Sequence, residues 1–578
     1  YLHISNKQGV SAIIVPKFKP QASNCEFSFA VDLGTSNTHV EFIKTPSNNS
    51  NPIEFAYTEQ ECLLSKFFVP SYNKDTGNPD DLIIEESNLS KDYLPSIVGE
   101  QSDFKFPSRT VLSVSNDIDW QNSIRPFGMV NIPLTYNKRQ PLAYNHPEDN
   151  IKWGKDNQQR IVEAYIDCIM LMIRNKVIME GGQLEKTKIT WFYPISMPPK
   201  RKNLLKTTWD ATYNKYFGSG STLSMTESEA PILYYFRRHS NATNLVNVDI
   251  GGGTTDIAFA KDKNIEFVTS FKFASNALFE DSLSEGEPSN GIIDHYKPIF
   301  KAILDKKNLP ELPYIFSTNE NKPANMAMFL FSLSKNTIAK ELNKNEIDFS
   351  AKLRDDDHFK IIFILFYSAI IYHIAQIVKL KGLETPRHIT FSGNGSKVLS
   401  ILTTESKDLA VMTKKIFEYI LGKPYGKELD ILGIGDDTNP KKSTCKGGLM
   451  DGTQNVGRDK IIIMKSDASG FITDDDTYEA IDKEYIKRVV SSVESFYDYV
   501  LQDLNRAFNF DDYFGVSEKS LNIVKEKCKA DIETYVNKGL ALMKEEADGK
   551  NRLDETLFFY PIKGILQALS IELNNNAS

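Results

Sequence analysis

Cysteine is scarce in this chain: Cys25, Cys62, Cys168, Cys445 and Cys528 are five in 578 residues, far apart and odd in number. No CxxC pair occurs, so neither a disulfide framework nor a zinc site can be read from the sequence. The eight histidines are scattered singly, with no ligand spacing. An excess of positive charge is also missing. With a formal net charge of -8 and a pI near 5.7, nothing electrostatic points to nucleic acid as the main partner. The phosphate-binding run GxxxxGK[ST] is absent, which disfavours a Walker-type NTPase. The most apolar segment, Ile361–Leu380, is interrupted at His373 after about 12 residues, short of the roughly 20 that a membrane span requires. It reads as a core helix, and no membrane span is expected. These absences together suggest a reducing, cytoplasmic setting. Because the first residue is Tyr1 rather than methionine, a removed upstream segment, a signal peptide included, is also an expectation.

What is present is ordinary globular material, 41% hydrophobic and 25% charged, in a chain long enough for several domains. Residues 1–26 read as a polar leader with one apolar patch, SAIIVPKF. The stretch FSFAVDLGTSNTHVEFI, 27–43, reads as a hairpin. A Pro-, Asp- and Asn-rich insertion at about 45–150 follows, with the acidic loop NKDTGNPDDLIIEESN. Helical periodicity in QQRIVEAYIDCIMLMIRNKVI, the buried-type strand ITWFYP and a polar helix from Pro199 then alternate as in an α/β protein. From about 461 the pattern turns helical. Ile481, Tyr485, Val489, Val493, Phe496, Val500 and Leu504 recur at steps of three and four, and a second such helix is expected from about Leu521 to Met543. The run Asp474–Asp476 reads as a solvated loop or helix start. Residues 461–578 are expected to form a separate helical module.

The most informative segment is VNVDIGGGTTDIAF, Val246–Phe259, because the hairpin AVDLGTSNTHVEF repeats it. Asp32 aligns with Asp249, Gly34 with Gly251, Thr38 with Thr255 and Phe42 with Phe259, at a constant offset of 249 − 32 = 217 residues. Two such units imply a duplicated domain with two equivalent turns facing each other. Glycine-rich turns let backbone N–H groups approach an anion closely. The hydroxyls of Thr35, Ser36, Thr254 and Thr255 add donors. Asp32 and Asp249 would repel phosphate unless a divalent cation, held partly through water, lay between them. Taken singly, each hairpin could be no more than a tight turn. It is the matched pair that points to a triphosphate with Mg2+.

These residues resemble the superfamily of ATPases that comprises actin, the sugar kinases and the seventy-kilodalton heat-shock chaperones. Asp32-Leu33-Gly34-Thr35-Ser36 is similar to its first phosphate hairpin, and Asp249-Ile250-Gly251-Gly252-Gly253-Thr254-Thr255-Asp256 to its second, DxGGGTxD. HITFSGNGSKVL, His388–Leu399, resembles the strand and turn under the nucleoside, with Gly393-Asn394-Gly395 where relatives show adjacent glycines and Lys397 where the chaperones carry a basic residue. The spacing is closest to the chaperone branch. TESEAPILYYF resembles the chaperone segment that holds the acid orienting the hydrolytic water, here Glu227, although that glutamate could equally be a first-turn acid stabilising a helix dipole. Lys152 in NIKWG is the candidate for the lysine near the γ-phosphate; the alternative is a surface lysine. NPKKSTCKGGLM resembles the helix returning to the first lobe, with Cys445 packed inside it.

The resemblance implies a two-lobed actin-like fold, two ribonuclease H-like domains around a nucleotide cleft. Lobe I would span 27–245, lobe II 246–435 and the return helix 436–460. ATP or ADP with Mg2+ would lie between the hairpins. Gly34, Thr35, Ser36, Asn37, Gly251, Gly252, Gly253, Thr254 and Thr255 would contact the phosphates, and Gly393, Asn394, Gly395 and Lys397 the nucleoside. Asp32 and Asp249 would hold the metal, with Glu227 and Lys152 beside the reacting phosphate. A nucleotide-controlled protein partner, reached through the helical tail, is the leading expectation. The alternatives are a filament-forming ATPase, a small-molecule kinase and an inactive nucleotide-binding scaffold; oligomeric state is left open.

Overall fold

The computed structural model describes residues 24–46, 51–57, 104–110, 151–153, 159–239, 243–262, 264–280, 288–305, 316–317, 319–334, 343–432, 442–450, 460–547 and 551–576. Short strands at 2–5, 11–14, 112–115, 134–137 and 146–148 are also described, and the first two pair as a hairpin within the expected leader. Most of the insertion, its acidic loop included, lies outside the described residues.

Two mixed sheets carry the site. The first contains β1 (Glu26–Leu33), β2 (Asn37–Thr45) and β3 (Ile53–Glu54). After α1 (Gln159–Met179) comes β4 (Lys188–Tyr193), and after α2 (Pro199–Phe217) comes β5 (Leu223–Thr226). Strand order is β5-β4-β1-β2-β3, with β1, β4 and β5 parallel and the β1–β2–β3 meander antiparallel. The period-2 pattern of β1 explains its two environments. Phe27, Phe29 and Val31 join the core built with α1 and α2, while Ala30 faces the other way, toward Cys445.

The chain reaches the second sheet through α3 (Glu229–Arg238). There follow β6 (Asn244–Ile250), β7 (Thr255–Lys261), β8 (Asn264–Phe271) and α4 (Gly291–Asp305). Then come α5 (Lys360–Lys381), β9 (His388–Ser392), α6 (Ser406–Leu421) and β10 (Asp430–Leu432). The order β8-β7-β6-β9-β10 repeats the five-strand path of the first sheet in order and direction, the first sheet carrying in addition a short strand, Ser108–Arg109, antiparallel to β2. Helix α5, the segment long and apolar enough to cross a membrane by composition, is almost wholly buried against this sheet. Its His373 packs among Phe271, Phe558 and Phe559, and burial pushes the imidazole down to about 3, so it stays neutral. Helix α7 (Lys442–Gly448) then returns to β1 and β2. Its glycines permit close packing: a Cβ on Gly447 would enter the Ala230 carbonyl, and one on Gly448 the Phe192 ring.

The C-terminal residues do not build a core of their own, contrary to the expected separate module. Ile461 bridges Val268, extending the second sheet past β8. Helix α8 (Lys483–Asp498) runs on through a π-helical stretch, Tyr499–Leu504, and buries Val489, Val493, Phe496, Val500 and Leu504 as the periodicity predicts. The helix expected from Leu521 to Met543 is instead two, α9 (Glu518–Lys527) and α10 (Ile532–Glu546). Asp531, left-handed at φ 59°, separates them. Helix α11 (Phe559–Asn575) crosses α4, where Gly291 meets the Ser570 backbone with no room for a side chain. Phe559 stacks on Phe271 at 4.1 Å and on Phe273 at 4.9 Å. One hydrophobic core therefore contains both the second sheet and the tail. Phe559→Ala should cost about 3–5 kcal/mol, to be measured by chemical denaturation. It should also shift the unfolding of the second sheet and the tail together.

Candidate functional site

The two hairpins are equivalent down to their register. Asp32 faces His39 across β1–β2, and Asp249 faces Asp256 across β6–β7. The turn of each closes on its glycine: Gly34 N–H donates to Asn37 O at 3.1 Å and Gly251 N–H to Thr254 O at 2.9 Å. In the second turn the carbonyls of Gly251 and Gly252 accept from the backbone N–H groups of Ser275 and Asn276, at 3.3 and 2.8 Å. The N–H groups of Thr35, Ser36, Gly252 and Gly253 have no acceptor among the described residues. Donors with no internal acceptor on facing turns form an anion-binding concavity.

The tips meet. A Cβ at Gly252 would run into Ser36 Oγ, and one at Gly253 would lie 3.7 Å from Thr35. Between them is a cleft of about 400 Å3, counting space open to solvent. It is lined by Asp32, Gly34, Thr35, Ser36 and Asn37 from the first hairpin and by Asp249, Gly251, Gly252 and Thr254 from the second. Lys152, Glu227, Gly393 and Asn394 complete it. Four residues expected at the nucleotide lie outside this lining. Gly253 sits beside Thr35, and Thr255 is fully buried and donates to Phe273 O at 2.6 Å. Gly395 packs so closely on the Gly251 carbonyl that a side chain would not fit, and Lys397 is exposed.

Lys152 is not a surface lysine. It is 1% exposed and forms an ion pair with Glu227 inside the cleft. The loop carrying it is held by buried Arg201, which donates to Ile151 O at 2.6 Å and to Lys152 O at 2.9 Å. Trp153, next in the chain, donates to Thr35 Oγ1 at 3.0 Å. Glu227 precedes α3 rather than standing in its first turn, and its backbone N–H donates to Tyr193 O at 3.0 Å. Asp249 accepts from Ser392 Oγ at 2.9 Å and from Thr444 Oγ1 at 3.4 Å. Ser392, Thr444, Trp153 and Arg201 were not picked out from the sequence, because each belongs to a segment whose place in the cleft only folding sets. The partner of Asp249, Asp256, was visible as the last residue of DxGGGTxD. Burial, then Glu227 and Asp249, push its carboxyl well above the usual range, while Lys152 opposes them.

Asp32 and Asp249 supply hard carboxylate oxygens from facing tips, and the described residues hold no cluster of three or more metal-ligating side chains. Two carboxylates without a closed cage suit a magnesium ion that keeps most of its water and completes its shell with phosphate.

No family model matches the chain, and no curated protein matches it. Among solved structures, MreB5 of Spiroplasma citri bound to ADP is similar over 74% of this chain and 95% of its own, at 13% identity and a TM-score of 0.32. MreB5 of Spiroplasma citri bound to AMPPNP is similar over 73% and 94%, at 13% identity and a TM-score of 0.31. The residues define an α/β protein of two mixed sheets whose equivalent hairpins line one acidic cleft.

Glu229, at the start of α3, supplies a pH test of this region. Loss of hydration pushes its carboxyl up to about 7, with Lys460 opposing. The folded chain therefore keeps a proton that the unfolded chain releases near 4.5, so stability falls as pH rises between those values. Glu229→Gln should gain on wild type by up to a few kcal/mol from pH 5 to pH 8, measured as the difference in denaturation free energy.

Proposed function

We propose that this chain is a magnesium-dependent ATP-binding and ATP-hydrolysing protein of the actin-like superfamily, with its nucleotide between the two hairpins. The observation that carries the reading is the meeting of two glycine turns, 217 residues apart in sequence, around one cleft that also contains Lys152 and Glu227. Phosphoryl transfer to water demands positioning and charge neutralisation more than covalent help. Backbone N–H groups of Thr35, Ser36 and Gly252 would bind the phosphates, with Thr254 closing the second turn. Asp32 and Asp249 would hold the magnesium ion, which when bound neutralises phosphate charge. Glu227 would orient the attacking water and accept its proton. Gly393 and Asn394 would lie under the nucleoside.

The two sheets are read as duplicated lobes that open and close on the nucleotide. Because the tail shares the core of the second sheet, it would move with that lobe and offer its outer face to a protein partner. The chaperone-like form of this reading is favoured by Lys152 standing beside Glu227. A filament-forming ATPase would instead show ATP-dependent light scattering at micromolar protein.

Asp249→Ala should abolish Mg·ATP hydrolysis while leaving the circular dichroism spectrum unchanged; wild-type turnover would remove Asp249 from the mechanism. Glu227→Gln should bind ATP and hydrolyse it at least about 100-fold more slowly. ATP at 100 times its Kd should stabilise the fold by about 2.7 kcal/mol, seen as a raised Tm. No shift at millimolar ATP and magnesium would mean a dead site.

A further inference from the structure

We infer that Ser392 is a positioning residue for Asp249: its hydroxyl, set by Asn247 and Thr390 behind it, orients the carboxylate that the nucleotide reading assigns to magnesium. The inference rests on that reading and deepens it. Strands β6 and β9 run parallel inside the second sheet, with Asn247 beside Thr390 and Asp249 beside Ser392. One face of the pair is apolar and enters the core through Val246, Val248 and Phe391. The other carries Asn247, Asp249, Thr390 and Ser392, all buried. Parallel strands covered on both faces favour apolar residues throughout, and a buried polar group costs free energy unless it is hydrogen-bonded. Here the bonds form a directed chain. Thr390 Oγ1 donates to Asn247 Oδ1 at 2.8 Å, Asn247 Nδ2 to Ser392 Oγ at 3.3 Å, and Ser392 Oγ to Asp249 Oδ2 at 2.9 Å. The serine has one proton to give. Its other acceptor, Asn247 Oδ1, is farther away, at 3.4 Å, and already receives Thr390. The proton therefore goes to Asp249. Thr444 of α7 donates to the same oxygen at 3.4 Å, and the backbone of Gly393, next after the serine, lies against Asp249 Oδ1. Strand β9 thus meets both oxygens of the carboxylate. Outer partners of this kind hold a metal-binding group in its orientation.

The test measures ADP binding to the full chain by calorimetry, once in magnesium chloride and once in EDTA, and takes the ratio of the two affinities. Ser392→Ala should lower that ratio about tenfold, while the affinity in EDTA changes less than about twofold. Thr390→Val, close in shape and three hydrogen bonds back from the carboxylate, should lower it about threefold. A lower Tm with the ratio unchanged would mean that Ser392 serves only the packing of the sheet. Equal losses in both solutions would mean that it supports the turn under the nucleoside instead. Either result overturns the inference and leaves the nucleotide reading standing. Should Ser392→Ala fail to fold, Thr390→Val, which keeps the serine, decides the matter, and an unchanged ratio there overturns the inference. If wild type binds ADP equally well with and without magnesium, the metal assignment and the inference fail together. If wild type binds no ADP in either solution, the nucleotide reading fails as well.

Discussion

Glycine backbone of the second hairpin meets the Ser36 and Thr35 side chains of the first where the two tips meet, and the geometry of the cleft follows from that contact. Gly252 lies against Ser36 Oγ, Gly393 against the carbonyl of Ile250 and the carboxylate of Asp249, and Gly395 against the Gly251 carbonyl. A side chain at Gly252 would meet the first hairpin, and one at Gly393 or Gly395 would meet the second hairpin's own turn. Gly393 also adopts φ +77°, a conformation that glycine enters without strain. The contact brings Asp32 and Asp249, from sheets that share no strand, to the lining of one cleft.

Bringing acids together has consequences that the two hairpins resolve differently. Position 39 of the first is equivalent to position 256 of the second (256 − 39 = 217), and one is histidine where the other is aspartate. Fully buried His39 lies 3.1 Å from Glu41, a contact within the first hairpin itself. The second places Asp256 near Asp249 and Glu227, and burial, reinforced by those two carboxylates, pushes its carboxyl well above the usual range. Lys152 is the compensating charge, and Arg201 is what holds it there.

Helix α7 ties these walls together at the level of single side chains. Thr444 donates to Asp249 on the second sheet, and one residue later Cys445 Sγ lies 3.5 Å from the carbonyls of Ala30 and His39 on the first. A shift of one sheet relative to the other is therefore felt at α7. The tail packs on the second sheet through the aromatic stack of Phe271, Phe273 and Phe559.

The sequence by itself determined the local units: the hairpins with their shared register, the strands Lys188–Tyr193 and His388–Ser392, and the buried character of helix α5. Such features are set by side-chain period and turn chemistry within about ten residues. It also named most of the cleft, because the repeat at a fixed offset identified both turns at once. Only the tertiary structure decided which neighbours those residues have. Lys152 could be read as a surface lysine because nothing within its loop reveals that Glu227 lies opposite; Asp531 splits one apparent helix because a left-handed aspartate leaves the apolar period intact. The tail looked separate for the same reason. An apolar stripe states that a helix must bury one face, and it is packing across hundreds of residues that chooses what covers it.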